Sequence, residues 1–271
     1  MLKIDCKMVE KILAAFIKDN VRKNGFRNVI VGVSGGLDSA VVLALCRKAL
    51  GVGRTFALLL PYRTSAPESR RHGEMVCKKF KVACETIDIS PAVDAYFDRY
   101  PAASPLQLGN KCARERMSVL YDFSARRKAL VAGTSNKSEL LIGYSTQFGD
   151  SAAAFQPIGD LYKTQVIELA RYLGIPEEIV VKKPTADLWP GQTDEGEIGI
   201  PYKDLDVLLH LMVDMRWDEG EIIERGYPLP LIRRIRAMIV NSQFKRTMPP
   251  VAKLHARTIG IDFRYLRDWN K

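Results

Sequence analysis

Apolar positions along the first half of the chain fall into two rhythms. Val9, Ile12, Leu13, Phe16, Ile17 and Val21 recur at helical spacing. They predict an amphipathic helix near 5–24, ended by Gly25. Short continuous apolar runs then appear at 28–33, 55–60, 82–89 and 129–132, and read as strands. Helical patterns fill the gaps near 38–50, 66–80, 91–99 and 111–127. Strands that alternate with helices predict an α/β fold, a doubly wound parallel sheet with both faces covered. After residue 150 the strand signal fades, and helical spacing returns near 163–173, 202–214, 219–225 and 229–241. The C-terminal portion is therefore expected to be helical. A polar stretch at 183–196, rich in Pro and Gly and with Trp189 as its one large aromatic, interrupts these helices. Loops of that length in compact proteins often act as lids. No linker or repeat breaks the pattern, so residues 1–271 read as a single domain.

The first strand stops at Ser34-Gly35-Gly36-Leu37-Asp38-Ser39, and a helical pattern follows at once. A strand, a glycine turn and a helix N-terminus form an anion site from the backbone itself. Unpaired N–H groups converge there and the helix dipole favours negative charge. Asp38 adds a hard oxygen suited to Mg²⁺. The turn lacks the lysine of a Walker A loop and the spacing of a dinucleotide fingerprint. Ser-Gly-Gly-x-Asp-Ser instead resembles the signature of the N-type ATP pyrophosphatases, which cut ATP between its α and β phosphates. The plainer alternative is an ordinary strand-to-helix turn of small residues.

A second such turn, Gly133-Thr134-Ser135-Asn136-Lys137-Ser138-Glu139, follows the fourth strand. Ligands of parallel sheets sit at this edge, beyond the carboxyl ends of the strands. Ser135 or Asn136 can cap the next helix with Glu139 in its first turn, which is a complete structural explanation. Beside the first turn a second reading opens. Thr134 then faces the same ligand, and Glu139 supplies a further carboxylate to a metal at Asp38.

Charge changes this picture little. Lys and Arg total 41 against 31 Asp and Glu, a net charge of +10, but the basic residues are dispersed. They read first as solvated surface and second as binders of an anionic small molecule. No aromatic-interleaved basic stripe marks a nucleic-acid platform. No apolar run approaches the roughly 18–20 residues that span a bilayer, and the N-terminus has no signal-like apolar region. The five cysteines are scattered with no C-x-x-C spacing, so neither a disulfide framework nor a zinc site is indicated. A reducing cytoplasm is the expected setting.

Further motifs sharpen the resemblance. They are the run from Gly133 to Gly149-Asp150, then Asp160-Leu161-Tyr162-Lys163-Thr164-Gln165-Val166, then Pro184-Thr185-Ala186-Asp187-Leu188-Trp189 with Gly191-Gln192-Thr193-Asp194-Glu195. Asn110-Lys111-Cys112-Ala113-Arg114-Glu115-Arg116-Met117 adds an arginine motif. Together they resemble the ammonia-dependent NAD⁺ synthetases, from the first helix to about Pro249.

That resemblance implies an adenine nucleotide alpha hydrolase-like fold and a two-step reaction. The carboxylate of nicotinic acid adenine dinucleotide attacks the α-phosphate of ATP, and ammonia then displaces AMP from the acyl-adenylate. It assigns Gly32, Val33, Ser34, Gly35, Gly36, Leu37, Asp38 and Ser39 to ATP, together with Thr134, Lys163 and Thr185. Asp38 and Glu139 would hold Mg²⁺, Arg114 and Lys245 would contact the deamidated dinucleotide, and Asp150 would guide ammonia at the acyl centre. Asp150 and Lys163 are thus the catalytic candidates. The family implies a homodimer with the dinucleotide near the subunit interface. No glutaminase region precedes the first helix, so free ammonia is the expected nitrogen source unless a separate subunit supplies it.

Three positions depart from the family pattern. Gln147 stands where a lysine is usual, Ala154 where an aspartate is usual, and Phe244 precedes Lys245 where a histidine is usual. All three belong, in the family, to recognition of the dinucleotide. The departures leave two expectations open: divergence within true NAD⁺ synthetases, or a paralogue that activates a different carboxylate.

Overall fold

A computed structural model describes residues 2–101, 104–185 and 193–263. Four parallel strands form the sheet: β1 (Asn28–Gly32), β2 (Thr55–Leu59), β3 (Ala83–Thr86) and β4 (Ala129–Ala132). Their order is β3-β2-β1-β4, so the chain winds outward from β1 in one direction and then returns to its other side. The winding reverses between β1 and β4, and a crevice opens at such a reversal. Ala132 extends this edge through a parallel bridge to Phe155.

Helices cover both faces, as the alternating pattern requires. One face packs against α1 (Cys6–Lys23), α2 (Leu37–Leu50), α3 (Pro67–Phe80) and, further along the chain, α7 (Lys163–Leu173). Ile17, Val31, Leu43, Val76 and Leu169 are buried in this layer. The other face packs against α4 (Ser90–Phe97) and α5 (Pro105–Arg127), around Ile30, Leu58 and Val131. A third apolar cluster joins α6 (Lys137–Ile142) to the C-terminal helices α10 (Tyr202–Leu209), α11 (Glu219–Glu224) and α12 (Leu229–Asn241). Two short helices, α8 (Glu177–Val180) and α9 (Asp194–Ile198), flank the stretch 181–193.

Several expectations are corrected. β3 covers only Ala83–Thr86, and all four of its residues are exposed. It is an edge strand, and the apolar run around it marks the ends of the strand rather than a doubly covered interior. Helix α5 begins six residues earlier than its apolar spacing suggests, because Ser104 and Gln107 close a capping box around Pro105 in its first turn. The expected helix 202–214 is α-helical only to Leu209, and a π-helical turn, His210–Asp214, completes it. Of the lid-like stretch, 186–192, including Trp189, lies outside the described residues.

Candidate active site

The carboxyl ends of β1, β2 and β4 open into one cavity of about 1200 Å³. At β1 the chain turns through Gly35, with φ of +78°. A Cβ at that position would lie 1.9 Å from the Ser69 carbonyl oxygen, so the turn is seated directly against α3. Only glycine satisfies both the left-handed backbone and this approach. Gly36 then starts α2, and no side chain caps the helix. Ser39 Oγ donates to the Gly36 carbonyl at 3.0 Å and lies 3.2 Å from Ser34 Oγ, which fixes the turn's shape. Gly32, Val33, Ser34, Gly36, Leu37, Asp38 and Ser39 all line the cavity. The side chains of Val33 and Leu37 are themselves in the apolar core, so these two residues present backbone.

At β4 Glu139 closes a capping box and also faces the cavity. Asn136 caps α6 by accepting from the Glu139 N–H at 3.0 Å, and Glu139 Oε2 accepts from the Asn136 N–H at 3.3 Å. The other oxygen, Oε1, receives Lys163 Nζ at 3.2 Å. Lys163 Nζ also reaches Asp38 Oδ2 at 2.5 Å, and Asn136 Nδ2 donates to Asp38 Oδ1 at 3.1 Å. Asn136, fully buried, therefore ties the two strand-end turns to each other. The capping box aims one carboxylate oxygen at the cavity while the other finishes the helix.

Charge in this cluster is unbalanced. Burial alone would lower the Lys163 pKa, but the Asp38 and Glu139 carboxylates outweigh it and hold the ammonium above its ordinary range. Burial pushes Glu139 up to about 8, opposed by Lys163 and assisted by Asp38 and Asp194. Asp194, at the start of α9, is 4% exposed and takes hydrogen bonds from Tyr144 Oη at 3.2 Å and Tyr202 Oη at 3.4 Å. Its burial raises its pKa against the pull of Lys163. Three acidic groups thus interact with one ammonium, and a further cation would favour the ionised forms of the two whose pKa is raised.

The remaining candidates divide by position. Thr134, Thr185, Asp150 and Lys245 line the cavity. Asp150 Oδ1 accepts from the Thr146 N–H at 2.7 Å. The enclosing walls raise its pKa, against that N–H and the more distant Lys245 and Arg116 cations. Lys245 Nζ donates to the carbonyls of Gly143 and Ser145 at 2.8 and 2.7 Å, and burial lowers its pKa. Arg114 is exposed on α5 and lies outside the cavity lining; its Nε donates to the Gln147 carbonyl at 3.3 Å. Arg116, two residues on, is the α5 arginine that lines the cavity, held by the Leu60 carbonyl at 2.9 Å. Gln147, Ala154 and Phe244 are all outside the lining. Asp194, Tyr144 and Tyr202 in the wall had no chemical signature in the sequence. An acid after a threonine reads as the first turn of a helix, and its two tyrosine partners lie 50 and 8 residues away in the chain.

Comparison with known proteins decides the family. Residues 9–249 match the NAD synthase family. The chain is 50% identical over 270 residues to an NH(3)-dependent NAD(+) synthetase of Chlorobium phaeovibrioides, a match covering 100% of this chain and 98% of that protein. The chain belongs to the NAD synthase family. Its fold agrees. The structure of NMN synthetase from Francisella tularensis superposes with a TM-score of 0.82 at 30% identity, covering 93% of this chain and 100% of that one. An NH3-dependent NAD synthetase from Campylobacter jejuni, in complex with the nitrate ion, gives 0.79 at 33% identity and the same coverage. The doubly wound sheet with its C-terminal helices is thus the adenine nucleotide alpha hydrolase-like arrangement of NAD synthases.

Proposed function

We propose that this NAD synthase family member makes NAD⁺ from nicotinic acid adenine dinucleotide, ATP and ammonia through an acyl-adenylate. The observation that carries the reading is the meeting of Asp38, Glu139 and Lys163 beside an uncapped helix N-terminus. Two acids from separate strand ends converge on one cation where a triphosphate would lie. Near-full-length identity to NH(3)-dependent NAD(+) synthetases supports the choice of acceptor and of nitrogen source.

A carboxylate is a poor acyl donor, because its leaving group would be oxide. In the first step a carboxylate oxygen of the acceptor attacks the α-phosphorus and the bond to the β-phosphate oxygen breaks, releasing pyrophosphate. In the second, ammonia attacks the acyl carbon, loses a proton, and AMP departs with the bridging oxygen. The Ser34–Ser39 turn cradles the phosphates with its backbone N–H groups. Lys163, held as ammonium, offsets charge developing on the phosphates. Thr134 and Thr185 add hydroxyls to the ATP site. Asp150 faces the acyl centre and guides ammonia there, and Arg114 and Lys245 hold the acceptor.

The residues fit a magnesium ion. Among the described residues no group of three or more His, Cys, Asp or Glu is arranged as a ready metal cage. Mg²⁺ does not require one, since it is commonly held by one or two carboxylates together with substrate phosphates. Asp38 Oδ2 and Glu139 Oε1 already point at a common cation, and the cluster holds more acidic groups than cations. Bound there with ATP, the ion would neutralise phosphate charge and polarise the α-phosphoryl group.

The three departures do not reach the ATP chamber. Gln147 instead shares the Arg114 contact on the outer side of the Ser145–Asp150 segment. We place the far end of the acceptor on that side, at a homodimer interface, with residues 1–271 acting as one domain. Five free thiols accord with a cytoplasmic location.

The test is a product assay with ATP, Mg²⁺ and ammonium. Nicotinic acid adenine dinucleotide should give NAD⁺, AMP and pyrophosphate in equal amounts. The corresponding mononucleotide acid is the competing acceptor. Exclusive turnover of the mononucleotide would reassign the enzyme to a different carboxylate. No AMP with either acceptor would overturn the reading.

A further inference from the structure

Lys163 is the cation that the family pattern assigns to phosphate, yet in this structure two carboxylates already occupy it. ATP brings about four negative charges, so further positive charge is needed next to the Ser34–Ser39 turn. Among the described cavity-lining cations, most are committed elsewhere. Arg70 pairs with Glu74 at 2.8 Å, Arg116 holds the Leu60 carbonyl, and Lys245 is spent on two backbone carbonyls.

Lys182 differs. It lines the cavity and is half-buried, and its Nζ donates to Ser69 Oγ at 3.1 Å, a neutral partner. Ser69 is also the residue against whose carbonyl Gly35 is seated. One residue of α3 therefore touches both the phosphate turn and the lysine. The Lys182 ammonium is thus beside the turn, and the hydroxyl that holds it carries no charge to offset it. Three residues later the same segment delivers Thr185 to the cavity wall. A neutral hydroxyl holds an ammonium in place without quenching it, which is the arrangement a phosphate-binding lysine requires.

We propose that Lys182 binds the β–γ end of ATP and the pyrophosphate that leaves. This rests on the proposed use of ATP at this site and adds to it a residue that the family resemblance did not assign. The role is binding rather than proton transfer. The contact is made to ATP before the first step and is retained on pyrophosphate after it. Weakening it should therefore affect the nucleotide and the product, and not the acceptor or ammonia.

The experiment uses the full chain and pyrophosphate as probe. Pyrophosphate binding with Mg²⁺ is measured by calorimetry for the parent, Lys182→Ala and Lys182→Arg, alongside steady-state KM values and thermal unfolding. For Lys182→Ala we expect pyrophosphate affinity to fall about tenfold, with a similar rise in the ATP KM. The acceptor KM and the unfolding midpoint should stay unchanged. Lys182→Arg should restore at least part of the affinity. A loss below threefold in Lys182→Ala, or no recovery in Lys182→Arg, overturns the proposal. Because pyrophosphate binding needs no acceptor, this failure is separable from failure of the overall reaction, which appears as a parent enzyme that forms no AMP.

Discussion

At the scale of the residue, backbone geometry and charge carry the site. Gly35 combines a φ of +78° with a 1.9 Å clash for any added Cβ. Gly35→Ala is expected to cost on the order of 3 kcal/mol of stability and to move the turn away from Ser69. Chemical denaturation measures the first effect and the ATP KM, which should rise, measures the second. Asp38 tests the cluster from the other side. Asp38→Ala should lower kcat by about a thousandfold, while nucleotide binding, followed by titration, survives through the turn's N–H groups. Loss of binding with intact chemistry in the bound fraction would show that Asp38 serves only to shape the turn. These two positions were the most legible in the sequence, because each belongs to a short local motif. Asp194 was not legible, since its burial and both tyrosine partners depend on tertiary packing.

At the scale of the element, alternating strands and helices were readable because burial on both faces leaves unbroken apolar runs. Boundaries were less so. A capping box set the start of α5, and exposure at the sheet edge shortened β3. The link between α6 and α7 was invisible in the sequence. Asp206 on α10 is fully buried and accepts from Ser138 Oγ at 2.5 Å and from the Thr164 N–H at 2.8 Å. Ser138 Oγ in turn accepts from the Lys163 N–H at 3.0 Å. One carboxylate thus caps the helix that bears Lys163 and fastens it to the helix that bears Glu139. Asp206→Ala strands these donors and should cost about 3 kcal/mol in unfolding free energy. At temperatures where the variant is folded, kcat/KM for ATP should also fall. Unchanged kinetics in the folded variant would show that Lys163 and Glu139 keep their register without Asp206.

At the scale of the whole molecule, strand order explains why distant motifs meet. The reversal between β1 and β4 puts the Ser34 and Gly133 turns side by side, although about a hundred residues separate them. Packing also sorts the thiols. Cys46, Cys77 and Cys112 are buried, and burial pushes the first two up to about 12. Cys84 is exposed on the edge strand. A thiol-reactive chromophore at pH 8 should therefore label Cys84 rapidly in the native protein and the three buried thiols only on unfolding. Rapid labelling of all of them would contradict the packing. The central claim concerns the path of one oxygen atom. If the acceptor carboxylate attacks the α-phosphate, then nicotinic acid adenine dinucleotide labelled with ¹⁸O in that carboxylate must hand one labelled oxygen to AMP. Mass spectrometry of the products should find one ¹⁸O in AMP for each NAD⁺ formed and none in pyrophosphate. Unlabelled AMP, or label in pyrophosphate, would contradict adenylation of the carboxylate at this site.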